Sequence, residues 1–418
     1  MLRKRGYMKK SYIKYGILLL LLVIAAIIIT SRWNVWFGNP TEAPYSTPST
    51  PSRILLTVGN NAQSRIITWQ CDTILQEAFV EYYKCDTLSS IDTCQAVALG
   101  EVYISEGGKS AFYRATIDSL TLGSYAYRVC HPTATSNWNR FDIADAQDNS
   151  TRFVFIGDIQ DTLNGTTNKI VDSVVKQHNK IDFFVQGGDF IHRPQDIYWE
   201  EGFRGIAPIA ATYPTLAVSG NHEHLKGITS TSERRFPLHF AYYIENYNST
   251  GCCYHTLRYD NIEFFLLDSH CDIVKLIQQR STLKKALKES SAQWKIAILH
   301  HPPYSIRNKW NNLHLQWLFA PLFTQYQVHL VLSGHEHGYA RIHPNGMGTT
   351  PIYTISHCSP KQYKHDNSRI AQRYANDNRY YQVIDVDNDT LQIECYTCDG
   401  TLYDTTQIIQ GNGTCIVK

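Results

Sequence analysis

The pattern of apolar and polar positions divides the chain into four stretches. Near the N-terminus, residues 15–31 form seventeen uncharged positions between Lys14 and Arg32, at the short end of what crosses a ~30 Å hydrocarbon layer. Residues 38–52 carry four prolines among Ser and Thr and predict an extended spacer without a core. From residue 53 short β-rich runs follow, at 54–58, 65–69, 78–83, 97–105, 112–117, 125–130 and 141–143, separated by Gly- and Asn-rich turns. Such spacing predicts a β-sandwich.

From residue 152 onward the style changes. Apolar runs at 153–156, 182–185, 215–218, 262–267, 295–299 and 328–332 lack alternation, as strands covered on both faces do. Helical periodicity at 167–178 and 281–290 lies between them. The runs at 352–356, 380–386 and 390–395 predict antiparallel, hairpin-like strands, with Asp387-Asn388-Asp389 as a turn. The stretches 193–205, 225–248 and 305–317 read as loops.

Charge sharpens the reading of the first run. The first 32 residues hold seven basic side chains and no acid; the remainder carries 32 basic against 37 acidic residues, a formal −5. A mildly acidic body argues against a protein that coats nucleic acid, and no nucleic-acid partner is expected. Basic residues before the apolar run and Trp33 and Trp36 after it predict an N-in, C-out anchor. No small-residue cleavage site follows the run, so an uncleaved anchor is favoured over a secreted protein released by signal cleavage. The body then faces the periplasm or the exterior. All eleven cysteines follow residue 70, where disulfides can persist outside the cytoplasm. Cys395, Cys398 and the adjacent Cys252 and Cys253 lack zinc-finger spacing and read as bridges or buried thiols.

Five apolar runs end in metal-seeking residues: Gly157-Asp158-Ile159-Gln160, Gly187-Gly188-Asp189-Phe190-Ile191-His192, Gly220-Asn221-His222-Glu223-His224, His300-His301-Pro302-Pro303-Tyr304 and Gly334-His335-Glu336-His337-Gly338-Tyr339. Ligand sites of α/β sheets lie beyond the carboxyl ends of their strands, so five such endings can converge. Each motif alone is an ordinary turn. Together they supply two carboxylates, an amide oxygen and at least three imidazoles, a donor set for Zn, Mn or Fe rather than a thiolate site.

The ordered set GD, GGD, GNHE, HxPxY and GHxHxY resembles the calcineurin-like binuclear metallophosphoesterases, and specifically their purple acid phosphatase branch. The resemblance implies an α/β four-layer metallophosphoesterase sandwich, two mixed β-sheets flanked by helices, preceded by an all-β fibronectin-III-like domain and an N-terminal membrane helix. The implied divisions are 1–32 for the basic segment and anchor, 33–52 for the linker, 53–146 for the fibronectin-III-like sandwich and 147–418 for the metallophosphoesterase domain.

Carried over by motif, the resemblance implies that Asp189 bridges two metal ions about 3.5 Å apart, of Fe, Zn or Mn. Asp158 and His337 bind the first; Asn221, His300 and His335 bind the second. His300 rather than His301 takes the motif place because Pro302 and Tyr304 then fall in register. His222 contacts the phosphate or leaving oxygen, and Glu223 orients it. Tyr304 is a possible substrate contact.

Three positions depart from the branch. His192 stands where the purple enzymes have a tyrosine, so no ferric charge-transfer band is expected; His192 is read as a first-metal ligand, with substrate contact or a structural role as alternatives. Gln160 replaces the histidine of a DxH motif common in the superfamily and either ligates the first metal through its carbonyl oxygen or supports the site. Lys309 and Trp310 stand where histidines often occur; Lys309 and His314 are read as surface residues, with assistance to the phosphate as the alternative. His224, His301 and Glu336 are expected to point away from the metals, and His255, His270, His343 and His357 to serve loops or packing. The function these expectations describe is hydrolysis of phosphomonoesters on a small-molecule substrate. A phosphodiesterase or nucleotidase on the same centre, or a surface binding protein with an inactive hydrolase domain, is the alternative.

Overall fold

The computed structural model describes residues 2–74, 77–85, 93–132, 134–144, 150–346, 348–411 and 414–417; the expected boundary between 146 and 147 lies outside them. A helix, Leu2–Phe37, opens the chain, and its part Tyr12–Phe37 is long and apolar enough to cross a membrane, its most apolar stretch being exposed.

The β-rich region forms two facing antiparallel sheets. One runs Ser52–Val58, Arg65–Cys71, Lys109–Ile117, Leu99–Ile104; the other is built on Phe79–Lys84 and Gly123–His131. Between them Trp69 stacks on Tyr113 at 5.2 Å, both buried. The run read as one strand at 97–105 splits: Cys94–Val97 joins one sheet and Leu99–Ile104 the other.

Two seven-stranded mixed sheets follow. The first runs Thr215–Ala217, Phe183–Gln186, Ser150–Ile156, Tyr380–Asp387, Thr390–Thr397, Leu402–Gly411, Thr414–Val417. The second runs His255–Tyr259, Ile262–Leu267, Trp294–Leu299, Leu330–Ser333, Ile352–Ile355, Tyr339–Ile342, Arg373–Ala375. The apolar runs are continuous because each strand feeds two cores. Phe264, Leu266, Ile296, Ile298, Leu330 and Leu332 face the other sheet, while Phe265, Leu267, Ala297, Leu299 and Val331 face the outer helices, the two-residue period of a strand. Phe153 and Phe264 meet edge to face at 5.4 Å across the inter-sheet core.

Ile352–Ile355 pairs antiparallel with Tyr339–Ile342, as read, and on its other side in parallel with Leu330–Ser333; the hairpin Tyr380–Asp387 with Thr390–Thr397 also forms as read. Several other expectations are corrected. The helix expected at 281–290 spans Ile273–Glu289, started by Asp272, whose carboxylate accepts from the Val274 and Lys275 N–H groups. Ile273, Val274 and Ile277 are exposed, which hides the helical stripe in the sequence. Segments read as loops contain the helices Asp196–Gly205, Arg235–His239, Ile244–Thr250 and the start of Leu313–Gln325. Among the described residues Cys252 and Cys271 form the one disulfide, while Cys253, Cys395 and Cys398 are free.

The spacer is not free. Glu42 is buried; its carboxylate receives the Asp196 N–H at 2.7 Å and the Arg235 guanidinium at 2.5 Å. Arg235 also meets Asp196 at 2.7 Å and Glu233 at 2.9 Å, and Arg53 reaches Asp196 at 2.8 Å. Linker, sandwich and α/β domain thus share one buried ion cluster, whose charges repay desolvation only while all partners are present.

Candidate metal centre

Ser150–Ile156, Phe183–Gln186 and Thr215–Ala217 run parallel in one sheet, and Trp294–Leu299 and Leu330–Ser333 run parallel in the other. Their carboxyl ends meet at one edge of the molecule. The loops are stitched together there: the Asp158 N–H donates to the Gly188 carbonyl at 3.1 Å, the Gly334 N–H to the His300 carbonyl at 3.0 Å, and the Cys358 N–H to the Gly157 carbonyl at 2.7 Å. Asp158, Asp189, His335 and His337 all sit at positive φ, between 48° and 68°. Non-glycine residues tolerate that region at a cost, and such residues concentrate at functional sites. Two glycines allow the close approach. A Cβ on Gly220 would lie 2.2 Å from Asp189 Oδ1, and one on Gly334 would lie 2.3 Å from Asp158 Oδ2.

The side chains converge. Donor atoms of Asp158, Asp189 and His300 lie within 4.8 Å of one another, as do those of His300, His301 and His335. His300 Nε2 is 3.2 Å from Asp189 Oδ1, 3.3 Å from Asn221 Oδ1 and 3.3 Å from His335 Nδ1. His337 Nε2 is 3.4 Å from Asp158 Oδ1.

These residues fit a metal. The far nitrogens of two imidazoles are occupied by carbonyls, His300 Nδ1 by Gly187 at 2.9 Å and His337 Nδ1 by Lys361 at 2.6 Å, which fixes the tautomer that leaves Nε2 free to ligate. Asp158 Oδ1 is buried without a hydrogen-bond partner, and such an atom is costly unless something positive meets it. Burial works against charge on His300, yet Asp189 and Asp158 raise its pKa to about 10. Burial works the other way on Asp189, but His300 and His222 hold its carboxyl well below the usual range. The field of the two buried carboxylates demands cations. His335, by contrast, is kept neutral by burial and by His300, the state in which imidazole ligates.

Other residues fall at different distances. His222 Nε2 is 3.7 Å from Asp189 Oδ2, and its Nδ1 faces the His192 carbonyl at 2.5 Å. The His192 ring lies on the cleft wall, 5.5 Å from the His222 ring and 5.3 Å from Tyr198, beside His222 rather than in the converging donor groups. Gln160 Nε2 donates to Asp189 Oδ2 at 3.2 Å, with Oε1 buried and unpaired.

Glu223 does not hold the His222 ring. Its carboxylate accepts the N–H groups of Asp189, Ile191 and Gly220 at 2.9, 3.0 and 2.7 Å, tying two motif loops together. Tyr304 is half-buried and packs on Tyr353 at 4.8 Å against the core beneath the helices, not in the cleft. Lys309 is exposed over the Trp310 ring and lines a separate cavity with Asp366 and Arg369. Glu336 points away as expected, accepting from Ser305 and from the Arg307 N–H. His357 stacks on His337 at 5.2 Å.

A cleft of about 670 Å³ opens over the site, lined by His192, His222, His270, His301 and His335 among others. His270 is the residue the sequence reading missed. Its ring stacks on His301 at 5.3 Å and meets His224 edge-on at 4.9 Å. The signal was there: Ile262–Leu267 is a sixth apolar strand, and it too ends in polar residues, Asp268-Ser269-His270. Asp268 receives His224 Nε2 at 3.1 Å and the His270 N–H at 3.1 Å, and the neighbouring Cys271 is bridged to Cys252. His314, with His270, His301 and His335, lines an adjoining cavity of about 320 Å³.

Residues 151–339, the segment that carries every one of these motifs, match the model of the calcineurin-like phosphoesterase family. That segment is calcineurin-like. Its likeness is to the purple acid phosphatase branch. Purple acid phosphatase 23 of Arabidopsis thaliana is 25% identical over 167 residues, 39% of this chain and 35% of the relative. Probable inactive purple acid phosphatase 24 of the same plant is 23% identical over 367 residues, 76% of this chain and 58% of the relative. The match thus spans about a third to just over half of these curated relatives' length. Among solved structures, the purple acid phosphatase PPD1 from yellow lupin (Lupinus luteus) seeds superposes with a TM-score of 0.68 at 17% identity, covering 88% of this chain and 75% of that one. PhoD superposes with a TM-score of 0.60 at 13% identity, over 89% and 93%. Both show that this calcineurin-like chain shares their fold.

Proposed function

We propose that this chain is a membrane-anchored, outward-facing metallophosphoesterase that hydrolyses phosphomonoesters at a pair of metal ions, Fe, Zn or Mn. The observation that carries the reading is the meeting of Asp158, Asp189 and His300 within 4.8 Å, with an unpartnered Asp158 oxygen facing His337. In this reading Asp189 is shared, Asp158 and His337 hold one metal, and Asn221, His300 and His335 hold the other. A bound metal pair neutralises phosphate oxygens and lowers the pKa of water, supplying the nucleophile.

The protein's own groups do the rest. His222 gives Nδ1–H to the His192 carbonyl, leaving Nε2 to carry a proton to the departing alkoxide. His192, His270 and His301 line the cleft above and orient the phosphate. Glu223 locks the loops that present Asp189 and Asn221. The β-sandwich is read as a fibronectin-III-like module on residues 53–146, and Trp33 and Trp36 as the outer interfacial belt of the anchor.

Release of p-nitrophenol from p-nitrophenyl phosphate by the Zn-, Mn- or Fe-loaded protein tests the reading. Asp189→Ala is expected to abolish it, and absence of turnover with all three metals overturns it in favour of an inactive, binding role. The His192 ring beside His222 favours a second reading, phosphodiester hydrolysis, which turnover of bis-p-nitrophenyl phosphate alone would establish.

A further inference from the structure

The anchor ends at the mouth of the cleft. Trp36, in the last turn of the helix Leu2–Phe37, lines the same cavity as His222, His270 and His301. Three residues after Trp36, Asn39 is bound to Lys226 twice: its Oδ1 accepts the Lys226 N–H at 2.8 Å and its Nδ2 donates to the Lys226 carbonyl at 2.9 Å. Phe37 and Asn39 are separated by at most about 7 Å of extended chain. Three residues further, Glu42 is held in the buried ion cluster with Arg235. The segment that resembles a loose spacer in composition is therefore a short strap, and the membrane helix cannot move far from the cleft.

The rim agrees with that placement. Arg193 and Lys226 line the cleft and are exposed, and Ile228, on the same loop as Lys226, is 81% exposed. Basic side chains with an aromatic and an aliphatic residue at one edge suit a bilayer interface, where cations meet anionic headgroups and Trp sits at headgroup level.

We propose that the cleft faces the bilayer surface and takes a phosphomonoester carried on a membrane lipid, a substrate whose apolar part stays in the bilayer. This deepens the hydrolase reading above and rests on it. In the step, the oxygen of water bonds to phosphorus, the bond from phosphorus to the lipid oxygen breaks, and that oxygen takes a proton. A neutral lipid alcohol stays in the bilayer and phosphate leaves into water.

The test uses the full metal-loaded chain in phosphatidylcholine vesicles containing phosphatidic acid, with release of inorganic phosphate followed beside turnover of p-nitrophenyl phosphate. A helical (EAAAK)-type spacer of about twenty residues inserted between Gly38 and Asn39 lifts the body by about 30 Å. It is expected to lower phosphatidic acid turnover at least tenfold and leave p-nitrophenyl phosphate turnover unchanged. The unaltered protein, needing no variant, is expected to prefer vesicle-borne phosphatidic acid at least tenfold over the dissolved short-chain dioctanoyl form. Equal phosphatidic acid turnover with and without the spacer, or preference for the dissolved form, overturns the inference and leaves the hydrolase reading intact. Loss of p-nitrophenyl phosphate turnover in the unaltered protein overturns both.

Discussion

The Glu223 carboxylate accepts the backbone N–H of Asp189 at 2.9 Å. The same carboxylate takes two further N–H groups, so one buried side chain sets the path of the loop that presents Asp189. Glu223→Gln keeps the shape but turns an NH2 toward an N–H donor. Leaving a buried donor unpaired costs about 1–3 kcal/mol, so a lower melting temperature and reduced metal content by elemental analysis are expected. Metal content equal to the unaltered protein would show that the loops hold without it.

Gly220→Ala tests the close packing of the loops. The added Cβ would fall 2.2 Å from Asp189 Oδ1 and 2.3 Å from its backbone nitrogen, distances no relaxation of a rigid loop absorbs. Expected is a fall in p-nitrophenyl phosphate turnover of at least about a hundredfold, since a misplacement near 1 Å already costs that much, with secondary structure by circular dichroism retained.

Arg235 is buried among Glu42, Asp196 and Glu233. Burial would lower its pKa, but these carboxylates raise it. Arg235→Met strands the carboxylates without a counter-ion, and breaking a buried ion pair costs about 3–5 kcal/mol. Denaturant unfolding should show a loss of that size, whereas an unchanged midpoint would mean that Arg53 alone neutralises the cluster.

His329 supplies a pH dependence remote from the metals, at the opposite end of its strand. It is buried, its Nδ1 accepts the Lys295 N–H at 3.0 Å, and burial together with Lys295 lowers its pKa to about 4. The folded state prefers the neutral ring, so the stability it contributes is full above the ordinary value near 6.5 and is lost as pH falls toward 4. Between about pH 7.5 and 5 that amounts to about 2 kcal/mol. His329→Asn keeps an acceptor without titrating, so its unfolding free energy should fall less over that range. The acid sensitivity of the metal centre is common to both proteins and cancels in the comparison.

Much of the site was legible in the primary structure because strand-end motifs are local. Gly220-Asn221-His222 or Gly334-His335-Glu336-His337 bring their donors with them, and the apolar run before each one marks a strand. His270 was harder to see, since Asp268-Ser269-His270 resembles an ordinary turn until His301 and His224 are found against it. Tyr304 misled for the opposite reason. Distance along the chain placed it near the motif histidine, while the backbone packs it against the core; Lys309 lies at the surface, as its reading favoured.

Periodicity and motif spacing by themselves determined the apolar N-terminal helix, the β-rich region, the strands covered on both faces and the donors at their ends, because each depends on neighbours a few residues away. Only the tertiary structure decided that the proline-rich segment is strapped down, through Asn39 on Lys226 and Glu42 on Arg235, and that the N-terminal helix ends beside the cleft. Those contacts join residues separated by 187 and 193 positions. Composition registers the low apolar content of such a segment but carries no record of the distant charge that a single buried glutamate will meet.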